Sequence, residues 1–420
     1  MHHVENTWIT ENTESTESTE NRGSMGKIDR DAVVRAQVLL LGTHEPPLRQ
    51  LIDAYRILAE VGPLTYLPKL SGALHSLGCQ PELRARPDLR LRSFAEALAI
   101  ARLLGEDEPK RERLFRQALS GYERTLFALG RRAEGLVACE ELGAFAPSRF
   151  AAVLAEEGRH EEAAELHEAA ARAERAQWPH RPDAAEIAWA AELDAAGRHE
   201  QALTVFAGLV EAYRRAVGAG ETPPGGLAQR LSHHAWMLDA SGRHAEARSS
   251  RREALTVVGG LTRSDEAKRW SRDYETWAGL LALSGRADEP APTPDAPMPA
   301  LGTEVRHWSA DAREAFAGSV PALEEEAVRL RDAGLPRELL TVHRRLTVRR
   351  ALFRSNHFYR FAEEIGPLVD EGVALARRLP DGEVRLGRAL TDRAMFRLAA
   401  TRYAEAHTDL VEAVALLDGS

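Results

Sequence analysis

The chain has 420 residues, 44 % of them hydrophobic and 28 % charged, with a formal net charge of −9; its mean hydropathy is −0.36 and its isoelectric point about 6.0. This balance suits a chain that folds in water. It argues against nucleic acid as the main partner, since that demands a basic face, and no stretch approaches the roughly 18 unbroken apolar residues of a membrane span. Cys79 and Cys139 are the two cysteines and no CxxC occurs, which excludes a disulfide framework or a cysteine-ligated zinc and fits a reducing cytoplasm. Lysine stands only at 27, 69, 110 and 268, so nearly all of the 55 basic residues are arginine, a codon bias expected of a GC-rich bacterial source.

In chain order, residues 1–24 come first, an acidic low-complexity leader containing ENTESTESTEN. It holds too little apolar surface to order itself, and Met25 is a candidate start. From there the apolar residues recur at three and four positions. YLPKLSGALHSLGC with SFAEALAIARLL (66–79 and 93–104) predicts a hairpin with a loop insertion, and LFALGRRAEGLVACEEL (126–142) predicts a turn and a second helix. Three near-copies of one phrase follow: LAEEGRHEEAA (154–164), LDAAGRHEQAL (193–203) and LDASGRHAEAR (238–248). Around the middle copy, Ile187, Ala190 and Leu193, then Ala202, Val205, Phe206, Leu209 and Val210, trace two helical faces separated by Gly197. That pattern is a helical hairpin closed by a left-handed glycine.

The hairpin resembles the tetratricopeptide repeat. The register is shared: small helix-A residues Ala151, Ala190 and Ala235; large residues Leu154, Leu193 and Leu238; turn glycines Gly158, Gly197 and Gly242; small helix-B residues Ala163, Ala202 and Ala247. His160, His199 and His244 stand where the family usually has an aromatic. Turn glycines at 130, 158, 197, 242 and 285 lie 28, 39, 45 and 43 residues apart, against about 34 for the standard repeat. The resemblance implies an all-α, right-handed tetratricopeptide-like α-solenoid over 25–286. ADEPAPTPDAPMPALG (287–302) carries five prolines, which cannot continue a helix; an extended linker is expected there. Beyond it, 303–420 predicts a C-terminal helical block, ending in the hairpin FRLAATRYAEAHTDLVEAVALL (396–417).

No catalytic pattern emerges, and neither a cofactor nor a metal is expected. His160 and His167 are seven apart and could share a helix face, but HExxH is absent, so a packing role is expected. VGAGET lacks the preceding strand of a phosphate loop. The arginine-rich runs LRARPDLRLR (83–92), KRERLFR (110–116) and HRRLTVRR (343–350) are expected to be solvated faces, with phosphate or an acidic partner as the alternative. A stacked array offers a concave surface lined by the first helix of each hairpin. Carrying over the family's groove positions implies Asp194, Ser232, Trp236, Asp239, Arg272 and Glu275 as partner-binding residues. The lysine and asparagine clamp with which some family members hold carboxylate tails is absent from these positions. The expected function is a non-enzymatic, cytoplasmic scaffold holding a protein or peptide partner. The alternatives are a sensor module of a signalling or transcription system, and a receptor for a peptide or small ligand.

Overall fold

The computed structural model describes residues 29–42, 44, 46–177, 184–263, 273–293, 296–354, 358–380 and 382–419. Among them the structure is helical, with isolated β-bridges at Thr293–Ala296 and Leu301–Thr303 in place of strands. The N-terminal helices are α1 (Arg30–Leu41), α2 (Leu48–Val61), α3 (Pro63–Gly78), α4 (Pro87–Leu103), α5 (Arg111–Ala128) and α6 (Arg132–Gly143). The repeated phrases fall in α7 (Pro147–Glu156), α8 (His160–Gln177), α9 (Ala184–Ala195), α10 (His199–Gly218), α11 (Pro224–Ala240) and α12 (His244–Leu261). Then come α13 (Asp273–Ser284), α14 (Ala310–Gly318), α15 (Val320–Asp332), α16 (Pro336–Arg354), α17 (Phe358–Arg377), α18 (Glu383–Ala399) and α19 (Tyr403–Gly419). Nearly every helix packs on the next in the chain, as hairpins do. The leader 1–24 lies outside the described residues.

The recurring phrase is a turn with its own chemistry. Gly130, Gly158, Gly197, Gly242 and Gly334 all have φ between 66° and 78°, a conformation that L side chains resist. In each, the glycine N–H and the next N–H fold back onto the helix just ended; Gly197 N bonds Asp194 O at 3.0 Å and Arg198 N bonds Leu193 O at 2.8 Å. These bonds satisfy carbonyls that a helix end would otherwise leave orphaned. The residue after the glycine is mostly arginine, and it grips a glutamate three positions on: Arg131 with Glu134, Arg159 with Glu162, Arg243 with Glu246. The histidine that follows also reaches a carboxylate. His199 Nδ1 lies 2.7 Å from Asp194 and His244 Nδ1 3.1 Å from Asp239, while His160 Nδ1 lies 2.7 Å from Glu192. Two departures stand out. Thr401 occupies the same turn at φ 58° without glycine, keeping the Arg402–Glu405 pair. Gly285, expected as a fifth such turn, has φ −97° and opens a short 3-10 turn, Arg286–Asp288.

After the 3-10 turn, the described residues of 289–302 carry no helix, as their prolines require, but they are not a free spacer. The carboxylate of Glu289 is buried against Arg349 at 2.6 Å and Arg345 at 3.4 Å. Ala300, Leu301 and Trp308 are buried, and the Trp308 Nε1–H donates to Ala300 O and Thr303 Oγ1, both at 3.0 Å. The physical reason is apolar: one contiguous core runs from Ala151 through Leu301 and Trp308 to Leu410. The C-terminal block therefore stacks on the repeats. Helix α19 lies along α12, α18 on α11 and α13, and α16 on α13. A second, separate core fills α2 to α6, from Ile52 to Leu142.

Candidate functional site

The groove residues implied by the resemblance come from α9, α11 and α13. Asp194, in the last turn of α9, is exposed at 42 % of its side chain and engaged by His199. Trp236 on α11 is half-buried, its ring 5.2 Å from that of His233. These two meet. With Ile187, His233, Leu283 and Arg286 they line one shallow cleft between α9 and α11. Glu275 is exposed on α13, and Arg272 lies outside the described residues.

Ser232 and Asp239 sit differently. Ser232 is buried; its hydroxyl donates to Ala228 O at 2.9 Å and touches Met395 Sδ of α18 at 3.4 Å. The expectation that Ser232 faces an open groove is corrected: α18 of the C-terminal block packs against it. Asp239 is bound by Arg251, itself held to Asp418 of α19 at 2.7 Å. Trp277 is likewise sealed, donating to Asp392 O of α18 at 3.0 Å and packed on Phe361 and Phe396. Asp239 is thus already neutralised by this chain's own Arg251, whereas Asp194 reaches the cleft.

Two cleft residues escaped the reading of the sequence. Arg286 donates to Ala191 O at 3.2 Å and places a cation at the rim. His233 lies at the floor, and burial, then His234 and Arg344, push its pKa down to about 3, so it is neutral at pH 7. The SHHAW motif shows two histidines, yet nothing local says which one turns inward. His160 and His167 do not form a metal pair: His160 engages Glu192, while both ring nitrogens of buried His167 lack a hydrogen-bond partner. Among the described residues no group of three or more His, Cys, Asp or Glu side chains converges as metal ligands. Nor is any helix there long and apolar enough to cross a membrane. What the cleft brings together is an indole, one carboxylate and one guanidinium around a free volume of about 20 Å³.

The chain matches no protein-family model and no curated protein.

Proposed function

We propose that the chain is a non-enzymatic interaction scaffold: a tetratricopeptide-like, right-handed α-solenoid that holds a protein or peptide partner in the cytoplasm. The observation that carries this reading is the meeting of Asp194 and Trp236 in one solvent-open cleft between stacked hairpins. A half-buried aromatic beside an unburied charge is the usual makeup of an interface anchor. The cleft suits an arginine- or lysine-bearing segment, whose cation rests on the indole and reaches Asp194. Deeper engagement of Ser232, Asp239 and α13 is not part of the proposal, because the chain's own α18 and α19 lie there.

The test is capture of partners from native cytosol with the wild-type chain and with Asp194→Lys. Loss of a specific partner from a variant that melts normally supports the cleft. Retention of the same partner at the same affinity overturns it.

A further inference from the structure

A second recess opens between α3, α4 and α5. Its floor is Phe94, fully buried and clamped between two glycines. A Cβ at Gly78 or Gly121 would stand 2.6 Å or 2.5 Å from the ring, so the three helices converge more closely than any side chain there would allow. Around this floor stand Arg90, Arg116 and Arg124, with Gln117, Ser120 and His75 as neutral donors, and no carboxylate lines the recess. The runs at 83–92 and 110–116, expected as separate solvated faces, are brought together here by the α4–α5 hairpin.

The charges are poorly compensated. Arg90 spends its Nε–H on Gly78 O at 3.1 Å and lays its guanidinium 5.5 Å over Phe94. Among the described residues Arg116 pairs only with Glu112, at 4.0 Å, with both side chains largely in solvent. Arg124 neighbours Glu123, but that carboxylate is held by Arg149 at 2.7 Å. Partial burial, then repulsion from Arg149, lowers the pKa of Arg124 despite the pull of Glu123, and Arg313 and Arg90 add to the repulsion. In the repeats, by contrast, arginines such as Arg159 and Arg243 have a glutamate of their own.

We propose that this recess binds a phosphate monoester dianion. Guanidinium forks match phosphate oxygens two at a time, and three converging cations fit a doubly charged group better than a single carboxylate. A phosphodiester strand fits less well, because the arginines surround one pocket rather than run along a face and the chain's net charge of −9 repels a polyanion. The monoester could belong to a small phosphorylated molecule or to a phosphorylated side chain. The recess shares no residue with the α9–α11 cleft, so either proposal can fail alone.

The test is calorimetric titration of the full chain with inorganic phosphate at constant ionic strength. Saturable binding is expected, weakened at least about tenfold in Arg116→Gln/Arg124→Gln and unchanged in Arg331→Gln, whose arginine pairs with Glu371 elsewhere. Circular dichroism melts check that the variants fold; both substituted side chains in the recess are exposed. Free phosphoserine and a phosphoserine peptide then separate the two sources: a clear gain with the peptide assigns a protein partner, and equal affinity a small molecule. A phosphate response no greater than that to chloride overturns the site. So does binding indifferent to the double substitution, or tighter binding of an oligonucleotide than of any monoester.

Discussion

The N-terminal helices α2 to α6 and the later helices α9 to α19 are built from the same kind of hairpin and end in opposite states. The first set has its own core, and its helices pack mainly on their chain neighbours, with α14 laid against α5. Arg116 and Arg124 of this set face solvent. In the second set, helices from the end of the chain pack on α11, α12 and α13, and candidate groove residues become buried or ion-pair partners. The hairpin pattern specifies stacking. It does not specify whether the groove stays open, because that depends on contacts such as Ser232 with Met395, far apart in the chain.

The strongest way to break this comparison is at the join. Arg149 is buried with Glu123 and also donates to Trp308 O at 3.2 Å, tying α5 and α7 to the segment that leads into the C-terminal block. Removing one partner of a buried pair leaves an uncompensated charge, so Arg149→Met is expected to destabilise by about 3–5 kcal/mol. Burial already holds the Glu123 pKa above the usual carboxylate range. Glu123→Gln/Arg149→Met should therefore recover most of the loss. Urea unfolding measures both; a single variant losing under about 1 kcal/mol would show that the join carries no weight.

Protonation acts next, on α7 and α8, which lie between the two sets. His167 is buried, and desolvation, then the charge of His307, lowers its pKa from 6.5 to about 4. A depressed histidine contributes stability that is present above pH 6.5 and lost as pH falls toward 4. Between pH 7 and pH 5 the loss is about 2 kcal/mol for this group. His167→Leu should remove that part of the acid slope, and a melt series across pH in which the slope is unchanged refutes it. Glu156 works in the other direction. It accepts from Ser309 N at 2.9 Å and pairs with Arg132 at 3.1 Å, yet burial pushes it up to about 7. Its contribution is complete below pH 4.5 and lost as pH rises through about 7, so Glu156→Gln should remove that fall in stability between pH 4.5 and about 7.

The turns give a smaller and reciprocal effect. Gly242 and Thr401 occupy one conformation, φ 73° and 58°, and nothing would touch a Cβ added at Gly242. Gly242→Thr is expected to cost about 1–2 kcal/mol, and Thr401→Gly to gain up to about 1 kcal/mol. Equal signs for the two changes would break the equivalence of the turns. The glycine turns were legible in the sequence, whereas the arginine–glutamate grip across them and the left-handed Thr401 emerge only in the structure. The hairpins around Leu154, Leu193 and Leu238 were legible too, as periodicity is local. The fate of Asp239 was not: its partners are Arg251, a helix away, and through it Asp418 on α19. Nor was the docking of 287–302, where five prolines announce extension and say nothing of Glu289 finding Arg349. Of the groove residues, Asp194 and Trp236 meet in a cleft, and Ser232 was misplaced because its neighbour comes from another part of the chain.

Docking also changes what a protease should do. Ala291, Pro292 and Thr293 are exposed while Ala300 and Leu301 are buried, so nicking is expected near 290–296 and not at the anchored end. Because one core spans both sides, the fragments should co-elute on size exclusion and separate only in denaturant. Fragments that part under native conditions would restore the free linker.

The smallest expected effect belongs to the cleft itself. Asp194 has 42 % of its side chain exposed and is engaged by the surface His199, itself 63 % exposed. Asp194→Lys should therefore shift stability by no more than about 0.5 kcal/mol. Asp239→Lys makes the informative contrast. Its carboxylate satisfies Arg251, whose side chain is only 6 % exposed, so a lysine there sets two cations together beside α19. That change should cost distinctly more, about 1–3 kcal/mol. Two aspartates in the same repeat position would then differ only because one faces solvent and the other faces the C-terminal helices. Thermal melts of the two single variants, read beside partner capture by Asp194→Lys alone, decide the matter. Equal stability losses at both positions would mean that the groove is open at Asp239 and that the closed region does not exist in solution.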